Sequence, residues 1–547
     1  MRYMQIEVVP RFSPSAIFMA EGFVFLKPKR REKIMLVKIL MVVLFMAVTI
    51  SIGIYCKRTA TDTAGFVLGG RSVGPWLSAF AYGTSYFSAV IFIGYAGQFG
   101  WKYGVAATWI GLGNAFIGSL LPWVVLGRRT RVMSQHLNAS TMPEFFEKRF
   151  DSRSLKLASA IIIFIFLIPY TASVYNGLSR LFEMAFHIDY SYCIIIMSVL
   201  TAVYVIVGGY MATAINDFVQ GIIMLIGIVV VIIAVLNLNG GFMGSMEALS
   251  LIEAEGSKLN GAFTSFFGPD PKNLFGVVIL TSLGTWGLPQ MVQKFYAIKS
   301  EKDVHIGTIV STGFALVVAV GCYFLGGFGR LFGDSISYNA GTPVYDSIVP
   351  SMLEKLPDIL IAVVVMLVLS ASMSTLSSLV LTSSSVITLD LVESSMKEKM
   401  SEKKKILIMR IFLVFFIVIS AVIAMFQHKS SSTFIAQLMG ISWGALAGAF
   451  LGPFVYSLYW KNVTKTSVWC SFICGVGLTT GNMIAGMFGK PFIASPINAG
   501  AIAMIISLIV VPVVSLITPK LKKEQVEEAF SCYNEEVVTI RKKSLED

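Results

Sequence analysis

Gly74-Pro75-Trp76-Leu77-Ser78-Ala79-Phe80-Ala81-Tyr82-Gly83-Thr84-Ser85-Tyr86-Phe87-Ser88-Ala89 opens an apolar run long enough to cross a bilayer, yet its centre mixes Gly, Ser, Thr and Tyr where a lipid-facing helix carries Leu and Ile. A helix broken there releases backbone carbonyls at mid-membrane, the arrangement by which transporters hold ions and solute. A second weak point, Thr281-Ser282-Leu283-Gly284-Thr285-Trp286-Gly287-Leu288-Pro289, lies five spans further along. Taken alone it reads equally as a proline kink absorbed by neighbouring helices. As a pair, the two interrupted spans fit two repeated halves of inverted topology in an all-α polytopic membrane protein.

Composition supports that class. The 547 residues are 55% hydrophobic and 14% charged, and the apolar residues fall into runs of bilayer-spanning length. Runs at about 35–56, 74–99, 104–127, 155–185, 190–208, 213–237, 274–297, 304–329, 358–389, 405–426, 431–459, 464–487 and 494–517 predict thirteen spans. The basic loops 57–71, 128–156, 294–302, 397–405 and 461–465 and the tail from 520 all fall on one side of such a chain. That side is expected to be the cytoplasm, which puts the C-terminus inside and the start of the first span outside. The net charge of +12 therefore reads as topology and calls for no nucleic acid. Six scattered cysteines without a Cys-x-x-Cys pair, and four histidines without a His-x-x-x-His pair, offer no structural zinc or haem site. No Walker A sequence is present, so ATP is not expected to drive the protein directly. No obligate protein partner is evident; the expected contacts are membrane lipid and a small solute.

Polar groups that persist inside a span are either satisfied by packing or part of a pathway. Asp217, after the Gly208-Gly209 turn into the sixth span, reads equally as a carboxylate on an ion route and as a solvated or helix-capping residue. Ala371-Ser372-Met373-Ser374-Thr375-Leu376-Ser377-Ser378, mid-way along the ninth span, offers hydroxyls and carbonyls to a hard cation such as sodium. Close helix packing by small residues that bond to their own helix is the blander account.

Gly69-Gly70-Arg71-Ser72, the stretch from Gly208-Gly209 to Asp217-Phe218-Val219-Gln220, Met373-Ser374-Thr375-Leu376-Ser377 and Ser457-Leu458-Tyr459-Trp460 together resemble the sodium:solute symporter family over about 36–520. The likeness is greatest to its bacterial sodium/proline branch, through Ala172-Ser173 and Arg180-Leu181-Phe182-Glu183. The resemblance implies a five-plus-five inverted-repeat (LeuT-like) core of spans two to six and seven to eleven. It implies sodium as coupling ion, with no organic cofactor, held by the carbonyls of Thr84, Phe87 and Ala371 and the hydroxyls of Ser374 and Thr375. It puts Asp217 on the ion exit route and gives Arg71 and Ser88 roles in coupling. Where the proline branch has an Asp in the broken second span, this chain has Tyr86. The branch's Trp and Tyr solute contacts align with Thr281 and Thr285, and only Pro289 is kept. Tyr170, Trp286, Ser442 and Trp443 complete the candidate pocket.

The expected function is sodium-coupled symport of a small organic solute, an amino acid such as proline or a monocarboxylate, across a bacterial cytoplasmic membrane. The alternative is a solute sensor on the same fold, against which stands a tail too short for a kinase domain. An enzyme is not expected, because no Ser-His-Asp order, metal triad or catalytic carboxylate pair appears at membrane depth. The domains expected are an N-terminal extension, 1–34, a transmembrane unit, 35–519, and a cytoplasmic tail, 520–547, helical near 522–530 and otherwise mobile. The loops 238–272 and 330–357 are expected to hold short surface helices as an external lid. Residues 1–34 end in Lys27-Pro28-Lys29-Arg30-Arg31-Glu32-Lys33, a basic cluster that opposes the charge rule. Met35 is therefore expected to be the initiator, since Arg30-Arg31-Glu32 is encodable by a purine-rich ribosome-binding sequence. The other possibility is a real extension with an extra short span near 12–26. Translation from Met35 is expected to give a fully active protein; lost insertion or transport in that truncation would show the extension to be real.

Overall fold

The structure, a computed structural model, describes residues 28–254, 260–339, 341–398, 400–428 and 435–533. Apart from the two-residue strands Tyr338–Asn339 and Thr342–Pro343, which pair antiparallel in the 330–357 loop, the regular structure among them is helical. Ten helices are long and apolar enough to cross a membrane, and an eleventh unit is the pair Pro271–Gly287 and Pro289–Ala297, bent by 46°. Many start on a side-chain cap: Asp270 before Pro271, Ser300, Thr464, and Ser495 before Pro496 each accept a backbone N–H of the first turn.

The thirteen spans read from the sequence are not reached by helix length and hydropathy, which give eleven. The difference lies in two continuous runs, Val90–His136 of 47 residues and Tyr190–Asn237 of 48. At a rise of 1.5 Å per residue each would be roughly 70 Å long, more than twice a ~30 Å hydrocarbon core. Each also contains one glycine in a conformation closed to other residues, Gly104 (φ 61°, ψ −142°) and Gly209 (φ 57°, ψ −153°). Thirteen units would result only if both runs were divided at these glycines and the short piece Val90–Tyr103 were joined across the break to Pro75–Tyr86; helix length and hydropathy alone do not reach that count.

Helix Asp358–Val386 runs through the interior and packs against Pro75–Tyr86, Arg153–Phe186 and Tyr190–Asn237. The outer helices Met35–Thr59, Glu402–Phe426 and Pro496–Ile517 instead turn Leu, Ile, Val and Phe outward, as a lipid solvent permits. The first helix begins at Pro28, upstream of Met35; residues 1–27, most of the expected extension, lie outside the described residues. The 238–272 and 330–357 loops hold the short helices Gly241–Ser250 and Ile348–Glu354. Beyond 519 the chain forms helix Lys523–Ser531, which is packed down rather than free. Phe530 is buried 4.9 Å from the Arg149 guanidinium, and the Tyr533 hydroxyl donates to the Arg129 carbonyl at 3.1 Å. The tail after 533 lies outside the described residues.

Small residues let helices touch backbone to backbone. A Cβ on Gly100 would sit 1.9 Å from the Gly326 carbonyl oxygen, and one on Gly475 would sit 2.3 Å from the Gly448 carbonyl carbon. Gly100→Val is expected to cost at least ~3 kcal/mol, because the obstacle is main chain and cannot rotate away. Measured by thermal unfolding in detergent, an unchanged midpoint would contradict this crossing.

Candidate functional site

Helix Pro75–Tyr86 starts on Gly74 with Pro75 in its first turn and stops at Phe87 (φ −100°, ψ 87°). The chain resumes at Val90–Tyr95, where the Ser88 hydroxyl accepts the Val90 N–H at 3.2 Å. The break deprives the Thr84 and Ser85 carbonyls of the N–H partners a continuing helix would supply. Hydroxyls from helix Asp358–Val386 take their place. Ser374 Oγ donates to Thr84 O at 3.1 Å, and Thr375 Oγ1 lies 3.2 Å from Thr84 O and 3.3 Å from Ser85 O. Both hydroxyls are also 3.1 Å from the Ala371 carbonyl one turn back. Five oxygens from two helices thus converge in a fully buried spot. Calcium, a hard cation, binds oxygen at roughly 2.3–2.6 Å, so ligands at right angles stand about 3.3–3.7 Å apart; the hydrogen-bonded separations here, 3.1–3.3 Å, lie at or just below that spacing.

Phe87 sits at the break itself, but its carbonyl takes no hydrogen bond from either hydroxyl; among the described residues Ser85, which the sequence reading passed over, joins Thr84 in that role. The blander account of the serine-rich stretch holds for Ser372 and Ser377, which bond to their own helix at Val368 O and Ser374 O; Ser374 Oγ also lies 3.0 Å from Ser370 O of its own helix, while Ser378 turns to Ser85.

The second broken span faces the first. The bend falls at Leu288, and Pro289 opens the following helix. Tyr86, the departure from the resemblance noted in the sequence, donates its hydroxyl to the Thr281 carbonyl at 2.6 Å and so ties the two broken helices together. Thr285 Oγ1 and the Tyr82 hydroxyl both donate to Gly118 O, at 2.9 and 2.8 Å, while Trp286 Nε1 reaches Ile117 O at 2.8 Å. Those two carbonyls belong to the widened turn Phe116–Leu120, whose i→i+5 geometry leaves them free to accept. Trp443 lies between Tyr86 and Tyr170, with both ring centroids at 5.8 Å, and the Tyr170 hydroxyl has Ser88 and Trp443 as polar neighbours. Ser442 donates to Phe166 O at 2.5 Å, away from this aromatic group. Trp286, half-buried and committed to Ile117, does not join it either.

Arg71 adopts a left-handed backbone (φ 55°) and spreads its guanidinium over Ser134 Oγ and O, Tyr296 O and Ala139 O, the last at 2.6 Å. Burial, helped by nearby Arg131, lowers it to about 10, so it stays charged at neutral pH. Beside it, Val73 and Ile298 pair as one parallel bridge joining the segment before the first broken span to the segment after the second.

Asp217 does not cap a helix: it lies eight residues beyond Gly209, past the first turn, and is completely buried. Its partner is Lys294, whose Nζ is 3.9 Å from Asp217 Oδ2 and donates to Ser378 Oγ at 2.9 Å. Ser378 Oγ is in turn 2.7 Å from Ser85 Oγ, which joins this pair to the break. The sequence reading counted Lys294 among loop charges, although it falls inside the apolar run 274–297; a lysine within a span was the available signal.

A model of the Sodium:solute symporter family matches residues 66–475. This chain belongs to that family. The symporter is 28% identical over 438 residues to the osmoregulated proline transporter of Bacillus subtilis (strain 168), covering 79% of this chain and 86% of that one. It is 30% identical over 446 residues to the sodium/proline symporter of Staphylococcus aureus (strain JH9), covering 80% and 84%. Its fold is that of the solved Na+-coupled sialic acid symporter, with a TM-score of 0.70 at 16% identity over 89% of this chain and 98% of that chain. The protein is therefore a multi-pass membrane transporter that couples solute movement to sodium, and not an enzyme.

Proposed function

We propose that the five-oxygen cluster of Thr84, Ser85, Ala371, Ser374 and Thr375 is the sodium site of this symporter, with Phe87 supplying a further carbonyl from the break when the ion is bound. The observation that carries this reading is the pair of hydroxyls meeting orphaned carbonyls across two helices. Neutral oxygens suit a monovalent ion that must also leave, since a buried carboxylate in that shell would hold it more tightly. Tyr86, by linking to the Thr281 carbonyl, lets the closing of one broken helix be felt by the other, which is how sodium binding favours the solute-ready arrangement.

The solute belongs beside the aromatic group of Tyr86, Tyr170 and Trp443, with Thr281, Thr285 and Pro289 on the facing helix. Ser442 and Trp286 form its surroundings rather than direct contacts. A small amino acid is the leading class, with proline first because proline transporters are the relatives at 28–30% identity; a monocarboxylate is the other candidate. Asp217 lies on the exit route: it is linked through Lys294 to Ser378, one turn of ~6 Å beyond Ser374 toward the cytoplasmic end of that helix. Arg71 holds the inner loops in register as that route opens, and Ser88 sets the start of the helix after the break. The basic loops assign the C-terminus to the cytoplasm and the start of the first span to the outside of a bacterial inner membrane. Unit 35–519 carries transport. Each inward sodium gains about 2.3 kcal/mol per 100 mV, enough for one ion to concentrate solute tens-fold.

Uptake into proteoliposomes of labelled proline, other amino acids and monocarboxylates, with and without a sodium gradient, tests the solute class; sodium-independent uptake throughout would overturn the reading. Ser374→Ala and Thr375→Ala are each expected to raise the sodium concentration for half-maximal uptake about 5- to 30-fold, since each removes one of few oxygens, worth ~1–2 kcal/mol. Unchanged sodium dependence in both variants would place the ion elsewhere. Asp217→Asn keeps the shape and removes the charge, so turnover and apparent sodium dependence are expected to suffer more than solute binding at saturating sodium. Identical kinetics across sodium concentrations would leave Asp217 a structural residue.

A further inference from the structure

We propose that Lys294 is a tethered cation: its ammonium fills a second monovalent-cation position beside the sodium site and so limits this symporter to one sodium per transport cycle. The inference rests on the reading of the five-oxygen cluster as the sodium site.

The position is built from oxygen. The Asp217 carboxylate is completely buried, and neither of its oxygens receives a hydrogen bond among the described residues. Ser378 Oγ faces the same spot and is paired with Ser85 Oγ. A buried carboxylate with two hydroxyls alongside is a donor set for a hard monovalent cation. In this chain the positive charge there is Lys294 Nζ, which lies on Ser378 at 2.9 Å and on Asp217 at 3.9 Å, too long for a hydrogen bond, with the Tyr210 ring 5.1 Å away. Asp217 and Lys294 have no other ion-pair partner among the described residues, and the titratable neighbours of Asp217 are Tyr204 and Tyr210. A charge at this depth persists only when compensated, and the pair compensates itself without an ion from solution.

The position is also adjacent to the sodium cluster. Ser378 Oγ touches Ser85 Oγ, and the Ser85 carbonyl is one of the oxygens that meets Thr375 Oγ1, so a single serine separates the two cation positions. A sodium in the cluster and the ammonium repel each other. The gap of 3.9 Å to Asp217 gives Lys294 room to draw back onto the carboxylate when sodium arrives and to return as it leaves. A lysine on a flexible stem suits this part, because it supplies the charge of a sodium ion and never dissociates.

The test is equilibrium binding of radioactive sodium alone to the purified full-length protein in detergent, which needs no knowledge of the solute. The wild type and Lys294→Arg are expected to bind about one ion per chain. Lys294→Met, checked for folding by size-exclusion chromatography, exposes the Asp217 carboxylate and is expected to bind about two. In Lys294→Met with Asp217→Asn the second ion is lost again. A lysine that served packing alone would leave the count unchanged. Two ions in the wild type, or one or none in folded Lys294→Met, overturns the proposal; the first of these needs no variant and stands even if Lys294→Met does not fold. A wild type that binds no sodium, or a Ser374→Ala variant that binds as the wild type does, overturns the sodium site itself. One ion in both wild type and Lys294→Met, with binding weakened in Ser374→Ala, overturns only the role of Lys294.

Discussion

Two hydroxyls, Ser374 Oγ and Thr375 Oγ1, reach across from one helix to the carbonyls of Thr84 and Ser85 at the point where another helix has stopped. In water such carbonyls would be solvated at no cost; at membrane depth an unmet backbone acceptor costs several kcal/mol. The break in Pro75–Tyr86 is therefore tolerable only while helix Asp358–Val386 stands against it in one register, and a slip of one residue would turn both hydroxyls away. That requirement explains why this helix is the enclosed one and why the residues flanking the contact are small. A Cβ on Gly83 would strike the Phe314 ring at 2.4 Å, and one on Gly221 would meet the Phe80 ring at 2.3 Å.

The second constraint is charge. Lys294 and Asp217 are both completely enclosed, and a pair of this kind gains little net stability over an apolar one, since desolvation offsets most of the attraction. Stability alone gives no reason to retain it. Its place next to the hydroxyl and carbonyl junction sets it apart, because Ser378 and Ser85 connect the two by hydrogen bonds. The hydroxyl–carbonyl cluster, the buried pair and the Tyr86 link to the other broken helix are separated by single residues.

The two interrupted helices also share a support. Tyr82 from the first and Thr285 from the second donate to the same Gly118 carbonyl, and Trp286 takes the neighbouring Ile117 carbonyl. Both acceptors exist because Phe116–Leu120 is wound one residue wider than an α-helix. A widened turn in a third helix thus supplies what two broken helices lack. Gly118 has to be small for this, since a Cβ there would lie 2.6 Å from the Tyr86 hydroxyl.

The class of protein and the place of its helix breaks could be read from residue order alone. Hydropathy run length is set by bilayer thickness, and Gly, Ser, Thr and Pro at mid-span mark helices that need outside partners, so the interruptions near Phe87 and Leu288 were legible; that Ser374 and Thr375 stand opposite the first came from the family resemblance. Loop charge gave a thirteen-span pattern that helix length alone does not, because Tyr190–Asn237 stays one helical run on both sides of the non-helical Gly209. Partners distant in the chain came only with the fold. Asp217 read as a possible cap because local sequence shows a helix start but not the lysine 77 positions later that packs against it. Ser85 and Ser378 were indistinguishable from packing serines, and Trp286 from a solute contact, until the facing helix was in place. Hydrophobic burial in a membrane fixes how long a segment must be; which polar atom meets which is fixed by helix rotation and register, and those exist only in the folded bundle.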